Sequence, residues 1–264
     1  MQRAPLIALL TDFGLADPYV GQMKAVLACA APLATLLDVS HGVAMGDVAQ
    51  ASFFLAATLP WLPPGSVAAA VVDPGVGTAR RVIAAELDGR FVLAPDNGLL
   101  TLPLARAEAA RAFDATPRLA PASATFHGRD VFAPLAARLA AGDAVETLGP
   151  LLPREALAAL PGLSADRRGE AVSSRVLSVD VFGNVVTSCD VERFGGFRRA
   201  RLLAPVGREL VRAATYGELS PGAVGFLAGS QGYLELAVRD GSAAAALGPT
   251  RGDFLEFWLP EGGA

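Results

Sequence analysis

The sequence has few of the residues that mark nucleic-acid-binding or secreted proteins. Its 264 residues include one lysine (Lys24), two histidines and two cysteines, and the formal net charge is −4. The remaining cations are arginines spread along the chain, so a basic surface that follows phosphate groups is not expected. Cys29 and Cys189 lie far apart without metal-ligand spacing, which favours a reducing, cytoplasmic setting.

Long apolar runs are also lacking. No run reaches the ~20 residues that a membrane-spanning helix needs. The short apolar run near the N-terminus is ended by Thr11 and Asp12, unlike the core of a signal peptide. What the chain does have is 52% hydrophobic residues, enough to make disorder implausible and to bury a sizeable core. We therefore expect a folded cytoplasmic protein that binds neither membranes nor nucleic acid.

Apolar runs alternate with helical patterns over roughly the first 145 residues. Helices are predicted to start at Pro18 and after a capping Asp47. Two further apolar runs joined by Asp88-Gly89 predict a hairpin or an adjacent pair of strands. Such alternation is typical of an α/β domain with an open, mostly parallel sheet and flanking helices. Its first strands are predicted at residues 5–10, 34–39 and 66–73.

The pattern changes beyond a stretch rich in proline and arginine, residues 148–170. We place the domain boundary within it, with an N-terminal α/β domain at 1–160 and a C-terminal domain at 161–264. Short strand-like runs separated by Gly, Ser, Pro and Asp predict that the second domain is a small antiparallel barrel or sandwich, and we expect a barrel-like all-β domain.

Three aspartates, Asp12, Asp73 and Asp96, each follow a predicted strand. Because ligands bind outside the carboxyl ends of parallel strands, these acids are candidates to line one crevice. The alternative is that they only end strands and start turns. The stretch DPGVGTAR (73–80) adds glycines and Arg80 after Asp73. It lacks both the lysine of a phosphate loop and the Rossmann glycine spacing, so nucleotide phosphate is disfavoured.

The segment TFHGRDVFAP (125–134) contains His127. The apolar spacing predicts a helix over residues 131–142 with Asp130 as its N-cap, and places His127 in the loop before it. The positive end of a helix dipole favours a neutral imidazole, which can accept a proton or orient water. The alternative is a histidine that only hydrogen-bonds the start of the helix. A kinase catalytic loop is excluded, because Gly128 interrupts the motif and the Asp-Phe-Gly at 12–14 precedes it.

Two turns of the second domain carry candidate binding groups. In VDVFGNVVTS (179–188), Asn184 offers a donor and an acceptor suited to an adenine edge, and Phe182 offers a stacking face. In GSQGYLELAV (229–238), Ser230 and nearby backbone N–H groups are suited to a carboxylate. Ordinary hairpins use the same residues, so these turns alone do not decide the function.

In their order along the chain, these motifs resemble the S-adenosylmethionine (SAM) hydroxide adenosyltransferases, relatives of the fluorinases and chlorinases. The resemblance implies hydrolysis of S-adenosyl-L-methionine to adenosine and L-methionine by water or hydroxide attack at ribose C5′, with no metal or other cofactor. It also implies a homotrimer whose sites lie between the N-terminal domain of one subunit and the C-terminal domain of its neighbour. The matching segments are residues 11–24, 38–48, 73–80, 94–100, 125–134, 180–187 and 229–238.

The same resemblance implies a role for each candidate residue. Asp73, Arg80 and His127 take the positions of the catalytic set. The implied substrate contacts are Asp12 to the ribose diol, Asn184 to adenine, Tyr216 stacked on the base, Ser230 to the methionine end, and the Val238 backbone to the adenine edge. Phe182 is added to these for the stacking face noted above.

Departures from the halogenating branch favour hydrolysis. Asp73 stands where that branch has an aromatic residue, Val76 where it has a halide-holding threonine, and Gly128 where it has a serine. A separate departure, which does not concern the nucleophile, is Gly46, which falls where the halogenating relatives carry an indole over the sugar. A carboxylate repels an incoming halide but assists a water. The alternatives are a SAM-dependent halogenase, and a sensor that binds adenosine or SAM without turnover.

Overall fold

The computed structural model describes residues 4–117, 122–196 and 199–260. Contacts divide the chain into two units, Met1–Leu160 and Pro161–Ala264. Within the described ranges, no helix is both long enough and apolar enough to cross a bilayer.

The N-terminal unit is built on a seven-stranded sheet of order β2-β1-β3-β5-β4-β6-β7. The strands β2, β1, β3 and β5 are parallel, while β4, β6 and β7 extend the sheet in antiparallel fashion. The predicted α/β sheet is thus confirmed, with its parallel part limited to four strands. The strands are β1 Leu6–Thr11, β2 Thr35–Ser40, β3 Val67–Val71, β4 Val82–Leu87, β5 Arg90–Pro95, β6 Ala110–Asp114 and β7 Leu151–Leu152.

Helices cover both faces of this sheet. Successive residues of β1 point to opposite faces, so that Ile7 packs with α1 and α4 and Ala8 packs with α2 and α3. The predicted cap of α2 is confirmed, since the Asp47 carboxylate accepts from the Gln50 N–H at 2.8 Å. The helices are α1 Tyr19–Ala30, α2 Val48–Thr58, α3 Thr101–Arg106 and α4 Ala133–Ala140.

The start of the last helical segment differs from the prediction. A π-helical turn, Gly128–Phe132, precedes α4, and His127 is its N-cap residue. The assignment of Asp130 as N-cap was wrong, because its N–H already donates to the Phe126 carbonyl at 3.1 Å and its carboxylate pairs with Arg129. The apolar pattern begins only at Val131, so it could not reveal the extra turn. His127 therefore sits at a helix start, where π-turns often mark functional positions.

The C-terminal unit is a closed barrel. Seven strands follow the order β10-β14-β13-β12-β11-β15-β9, and β9 pairs with β10 to close the ring, while β8 lies outside β9. The predicted barrel is confirmed, but its strands are not all antiparallel. β12 and β13 are parallel, because residues 213–223 carry the chain back before β13 begins. The elements are β8 Asp166–Arg168, β9 Ala171–Val179, β10 Val185–Asp190, α5 Val191–Phe194, β11 Ala200–Ala204, β12 Arg208–Arg212, β13 Val224–Ala228, β14 Tyr233–Val238, α6 Ala243–Leu247 and β15 Phe254–Trp258.

Candidate active site

The carboxyl ends of β1, β3 and β5 meet at one edge of the sheet, since these strands are parallel neighbours. Asp12, Asp73 and Asp96 follow them in that order, as predicted. Asp96 is already engaged: Arg81 donates to one of its oxygens at 2.8 Å and the Ala158 N–H to the other, also at 2.8 Å. Asp96 thus ties the end of the N-terminal unit to the sheet, which leaves Asp12 and Asp73 as the acids with a candidate chemical role.

Asp73 and Arg80 form a buried ion pair. The Arg80 Nε lies 2.7 Å from each carboxylate oxygen of Asp73, and Nη2 also donates to Oδ2. Their side chains are only 5% and 9% exposed, respectively. The turn between them allows this pairing, because Gly77 adopts φ +80°, a left-handed conformation that favours glycine. Such bidentate geometry fixes the orientation of the carboxylate.

His127 completes the group through Arg80. Its Nδ1 lies 2.9 Å from Arg80 Nη2. A guanidinium only donates hydrogen bonds, so Nδ1 accepts, and the neutral ring carries its proton on Nε2. Burial, and then the positive charge of Arg80, lower the pKa of His127 against the opposing effect of Asp73 and Asp130. The imidazole is therefore neutral near pH 7.

Asp12 is linked to the same region by aromatic packing. Phe13, Tyr19 and Phe126 form an aromatic cluster with ring centroids 5.3–5.9 Å apart. Phe13 follows Asp12, and Phe126 precedes His127. The cluster therefore holds the Asp12 loop beside the start of the π-turn.

Gly128 and Gly46 occupy positions that restrict larger residues. A Cβ at Gly128 would lie 3.0–3.1 Å from side-chain atoms of Phe126, Met23 and Phe13. A serine here would force these three neighbours to move. Gly46 has φ +71°, which disfavours an indole-bearing residue at that point.

In the C-terminal unit, a residue missed by the sequence analysis orients Asn184. Oδ2 of Asp180 accepts from the Asn184 side-chain Nδ2 at 2.9 Å, and Oδ1 accepts from the backbone N–H groups of Phe182 and Asn184. This leaves the Asn184 side-chain oxygen to accept from a ligand. Asn184 is 6% exposed, whereas Phe182 is 75% exposed. The signal for Asp180 was its place at the start of a turn, where aspartate commonly binds the following N–H groups.

Glu235 is a second residue that the sequence analysis missed. It is buried in β14 and accepts a hydrogen bond from the Tyr216 hydroxyl. Burial raises the pKa of Glu235, with a smaller contribution from Asp180, although the Tyr216 bond opposes this. Burial and the nearby Glu235 also raise the pKa of Tyr216. The only hint of Glu235 in the sequence is an acid within the apolar run YLELAV.

The other two predicted residues lie on the same barrel. Ser230 is exposed in the β13–β14 turn, which is closed by the Gly229 N–H and the Tyr233 carbonyl at 2.8 Å. Val238 ends β14 and pairs with Val224. The structure therefore groups Asp73, Arg80 and His127 directly in the N-terminal unit, whereas all the predicted adenine and methionine contacts belong to the C-terminal unit. In the part of the chain that the structure describes, no three His, Cys, Asp or Glu side chains converge as a metal site would require.

Both units match known domain families. Residues 7–149 match the SAM hydroxide adenosyltransferase N-terminal domain, and residues 174–256 match the corresponding C-terminal domain. A protein of Thermus thermophilus named (R)-S-adenosyl-L-methionine hydrolase is 45% identical over 258 residues, covering 93% of this chain and 96% of that protein. A Salinispora arenicola protein of the same name is 42% identical, covering 97% and 98%. A Nocardia brasiliensis protein named as a fluorinase is 29% identical, covering 92% and 93%.

Solved structures agree with the fold. An uncharacterised conserved protein from Thermotoga maritima superposes with a TM-score of 0.86 at 33% identity, covering 95% of this chain and 99% of that one. A conserved hypothetical protein from Thermus thermophilus gives a TM-score of 0.78 at 42% identity, covering 97% and 99%.

Proposed function

The chain belongs to the SAM hydroxide adenosyltransferase family, and from that membership we propose that it hydrolyses S-adenosyl-L-methionine to adenosine and L-methionine. Following the names of its relatives, we assign the (R)-sulfonium diastereomer as the substrate. The observation that carries the proposal is the hydrogen-bonded chain from Asp73 through Arg80 to His127.

The chemistry of the reaction fits these three residues. The water oxygen forms a bond to C5′ as the C5′–S bond breaks. The electron pair of the broken bond passes to sulfur, and the water loses one proton. Because the leaving group is a neutral thioether, no acid is needed to protonate it. The site has to supply an oxygen nucleophile that is aligned opposite sulfur and shielded from bulk water.

The three residues divide this work. With its proton on Nε2, His127 donates to the attacking oxygen and orients it. Arg80 fixes both partners and stabilises developing hydroxide through its charge. Asp73 remains as the acceptor for the water proton, which passes to it through an intervening water, because the imidazole and Arg80 separate the Asp73 carboxylate from Nε2. General-base assistance of this kind is worth about 10²–10⁴-fold in rate.

Substrate binding uses both units. Asp12 accepts from the ribose diol, Asn184 reads the adenine edge with the Val238 backbone, Phe182 and Tyr216 supply aromatic faces, and Ser230 contacts the methionine end. We propose a homotrimer in which the N-terminal unit of one subunit and the C-terminal unit of a neighbour complete each site.

No metal or other cofactor takes part. We place the protein in the cytoplasm, where its two free thiols, Cys29 and Cys189, remain reduced.

Halogenation is the second candidate, because fluorinases are among the relatives. The Asp73 carboxylate argues against it, since it can accept a proton from an attacking water, whereas a halide has no proton to give. A non-catalytic sensor is disfavoured because Asp73, Arg80 and His127 are all present and bonded to one another.

Turnover of separated diastereomers tests these assignments. The protein is incubated with (R)- and (S)-S-adenosyl-L-methionine in ¹⁸O-water, and products are measured by chromatography and mass spectrometry. We expect adenosine with ¹⁸O at its 5′ position plus methionine, formed faster from the (R) form. Tight binding without turnover would favour the sensor, and a 5′-halo-adenosine formed with added chloride or fluoride would favour the halogenase.

A further inference from the structure

The second histidine of the chain, His41, lies outside the Asp73–Arg80–His127 group. It follows β2, and its side chain is only 3% exposed. Its Nδ1 lies 2.8 Å from the Thr11 hydroxyl oxygen, and its Nε2 lies 3.1 Å from Oδ1 of Asp38. The Asp38 contact is within ion-pair distance but falls short of hydrogen-bond geometry. A buried imidazole with both nitrogens facing polar atoms is held in one orientation.

The two neighbours of His41, Asp38 and Thr11, determine which of its ring nitrogens carries the proton. A bare Nε2 lone pair facing a carboxylate would be repelled, so Nε2 carries the ring proton and Nδ1 accepts from the Thr11 hydroxyl. The Asp38 carboxylate is held ionised by Lys24 at 2.6 Å. Burial raises the pKa of Asp38, but Lys24 and His41 together outweigh it, so the pKa lies below its usual value.

At Thr11, this series of side-chain contacts reaches the loop that carries Asp12. The Thr11 hydroxyl oxygen accepts from the Phe13 N–H at 3.3 Å, so the contacts of Thr11 and Phe13 flank Asp12 on both sides. Residues 41–46 hold this loop at two further points. The Gly14 N–H donates to the His41 carbonyl at 2.8 Å, and the Gly46 N–H donates to Asp12 Oδ2 at 2.8 Å.

We propose that His41 is a positioning residue, which holds the Asp12 carboxylate in register for the ribose diol through the Thr11 hydroxyl. The inference rests on the proposed function, in which Asp12 binds that diol. It adds that recognition of the sugar depends on the contacts Lys24–Asp38–His41–Thr11, which run from a partly exposed ion pair to the buried His41 and Thr11.

A matched pair of Thr11 variants tests this. Thr11→Val keeps the shape and removes the hydroxyl, whereas Thr11→Ser keeps the hydroxyl. The affinities for adenosine and for 2′,3′-dideoxyadenosine, which lacks the diol, are measured by calorimetry or competition, together with kcat and KM for turnover. His41→Gln provides an independent break in the chain. Thr58→Val is the control, since the Thr58 hydroxyl donates to the Phe54 carbonyl within α2.

We expect Thr11→Val and His41→Gln to weaken adenosine binding and raise KM by about tenfold, with kcat changed by less than about twofold. Dideoxyadenosine affinity should stay unchanged, Thr11→Ser should restore adenosine affinity, and Thr58→Val should alter neither. Equal loss for both nucleosides would show a merely structural role and overturn the inference, as would unchanged adenosine affinity. Wild-type protein that neither turned over S-adenosyl-L-methionine nor bound adenosine would instead refute the proposed function itself.

Discussion

Arg80 donates to Nδ1 of His127 across 2.9 Å, and this contact determines which nitrogen of the imidazole faces a reactant. Because arginine cannot accept a hydrogen bond, the neutral ring keeps its proton on Nε2. His127 is thereby suited to hold the attacking oxygen as a donor, and Asp73 becomes the candidate proton acceptor.

The pH profile should reflect the lowered pKa of His127. Burial and Arg80 place this pKa below the reference value of 6.5, so the neutral ring persists as the pH falls through 6.5. We expect kcat to hold there and to decline only under more acidic conditions, as Nδ1 gains a proton and the Arg80 bond is lost. The test is kcat against pH together with ¹⁵N NMR of the imidazole. A kcat decline centred at or above pH 6.5 that followed His127 titration, or an Nδ1–H tautomer, would contradict the arrangement.

Replacing Arg80 by lysine should impair chemistry more than binding. A lysine cannot donate to both Asp73 oxygens and to Nδ1 of His127 in one fixed plane. We expect kcat to fall by at least about 100-fold, with the adenosine affinity within about threefold of wild type.

The control for that substitution is Arg111→Lys. Arg111 pairs with Glu86 and Glu146 and its side chain is 52% exposed, where exchanging one cation for another matters little. Equal losses of kcat and adenosine affinity in Arg80→Lys would indicate general damage to the fold rather than the proposed role.

Enlarging Gly128 should destabilise the protein. Its added Cβ would crowd Phe126, Met23 and Phe13 at 3.0–3.1 Å, and overpacking of this kind costs about 1–3 kcal/mol. We expect Gly128→Ala to lower the free energy of unfolding by that amount in denaturant titrations, and Gly128→Ser to do so without creating halogenase activity.

Gly21→Ala is the matched control for Gly128→Ala. Gly21 lies in α1, and a Cβ there would have no heavy atom within 4 Å apart from its chain neighbours and the backbone of its own helix. Alanine should therefore leave stability unchanged or raise it slightly. Similar destabilisation at both positions would mean that the three side chains around Gly128 do not restrict it.

Mixing two inactive variants should restore activity if sites form between subunits. His127→Ala damages the N-terminal half of the site, and Asn184→Ala damages the C-terminal half. In randomly mixed trimers, about a quarter of the sites would combine an intact N-terminal half with an intact C-terminal half from the neighbour. We expect activity near that fraction after co-refolding or co-expression, with sedimentation analysis confirming trimers. Sites confined to single subunits would give no recovery.

The sequence was sufficient to predict features that depend on neighbouring residues or on a regular apolar spacing. It was not sufficient for features that depend on contacts between residues far apart in the chain. The Asp47 cap and the Asp88-Gly89 hairpin each depend on a few neighbouring residues, so their patterns were sufficient. The π-turn before α4 was missed because its residues lack the apolar spacing of a regular helix. The apolar run of β13 is interrupted by a glycine, which weakens its strand pattern. Its parallel pairing with β12 depends on the connection over residues 213–223, whose path the hydrophobic pattern does not reveal.

The candidate site shows the same division. Its ordered motifs led to Asp73, Arg80 and His127, but nothing local indicates that Arg80 would lie between the other two. His41 and Glu235 gain their importance from partners far away in the sequence, whereas Asp180 binds groups of its own turn. A histidine after a strand or an acid in a strand has no distinctive pattern of its own.

The barrel closure described above also bears on the order of events during synthesis. β15, near the end of the chain, lies between β11 and β9 and pairs with both. Until Phe254–Trp258 leave the ribosome, β9 and β11 each lack this neighbour and expose unsatisfied backbone groups. All strands of the N-terminal sheet, by contrast, are complete by residue 152. Asp73, Arg80 and His127 can therefore come together while the barrel is still open. A chain stopped before residue 254 would keep the N-terminal unit intact but expose unpaired strand edges in the C-terminal unit, where aggregation could begin.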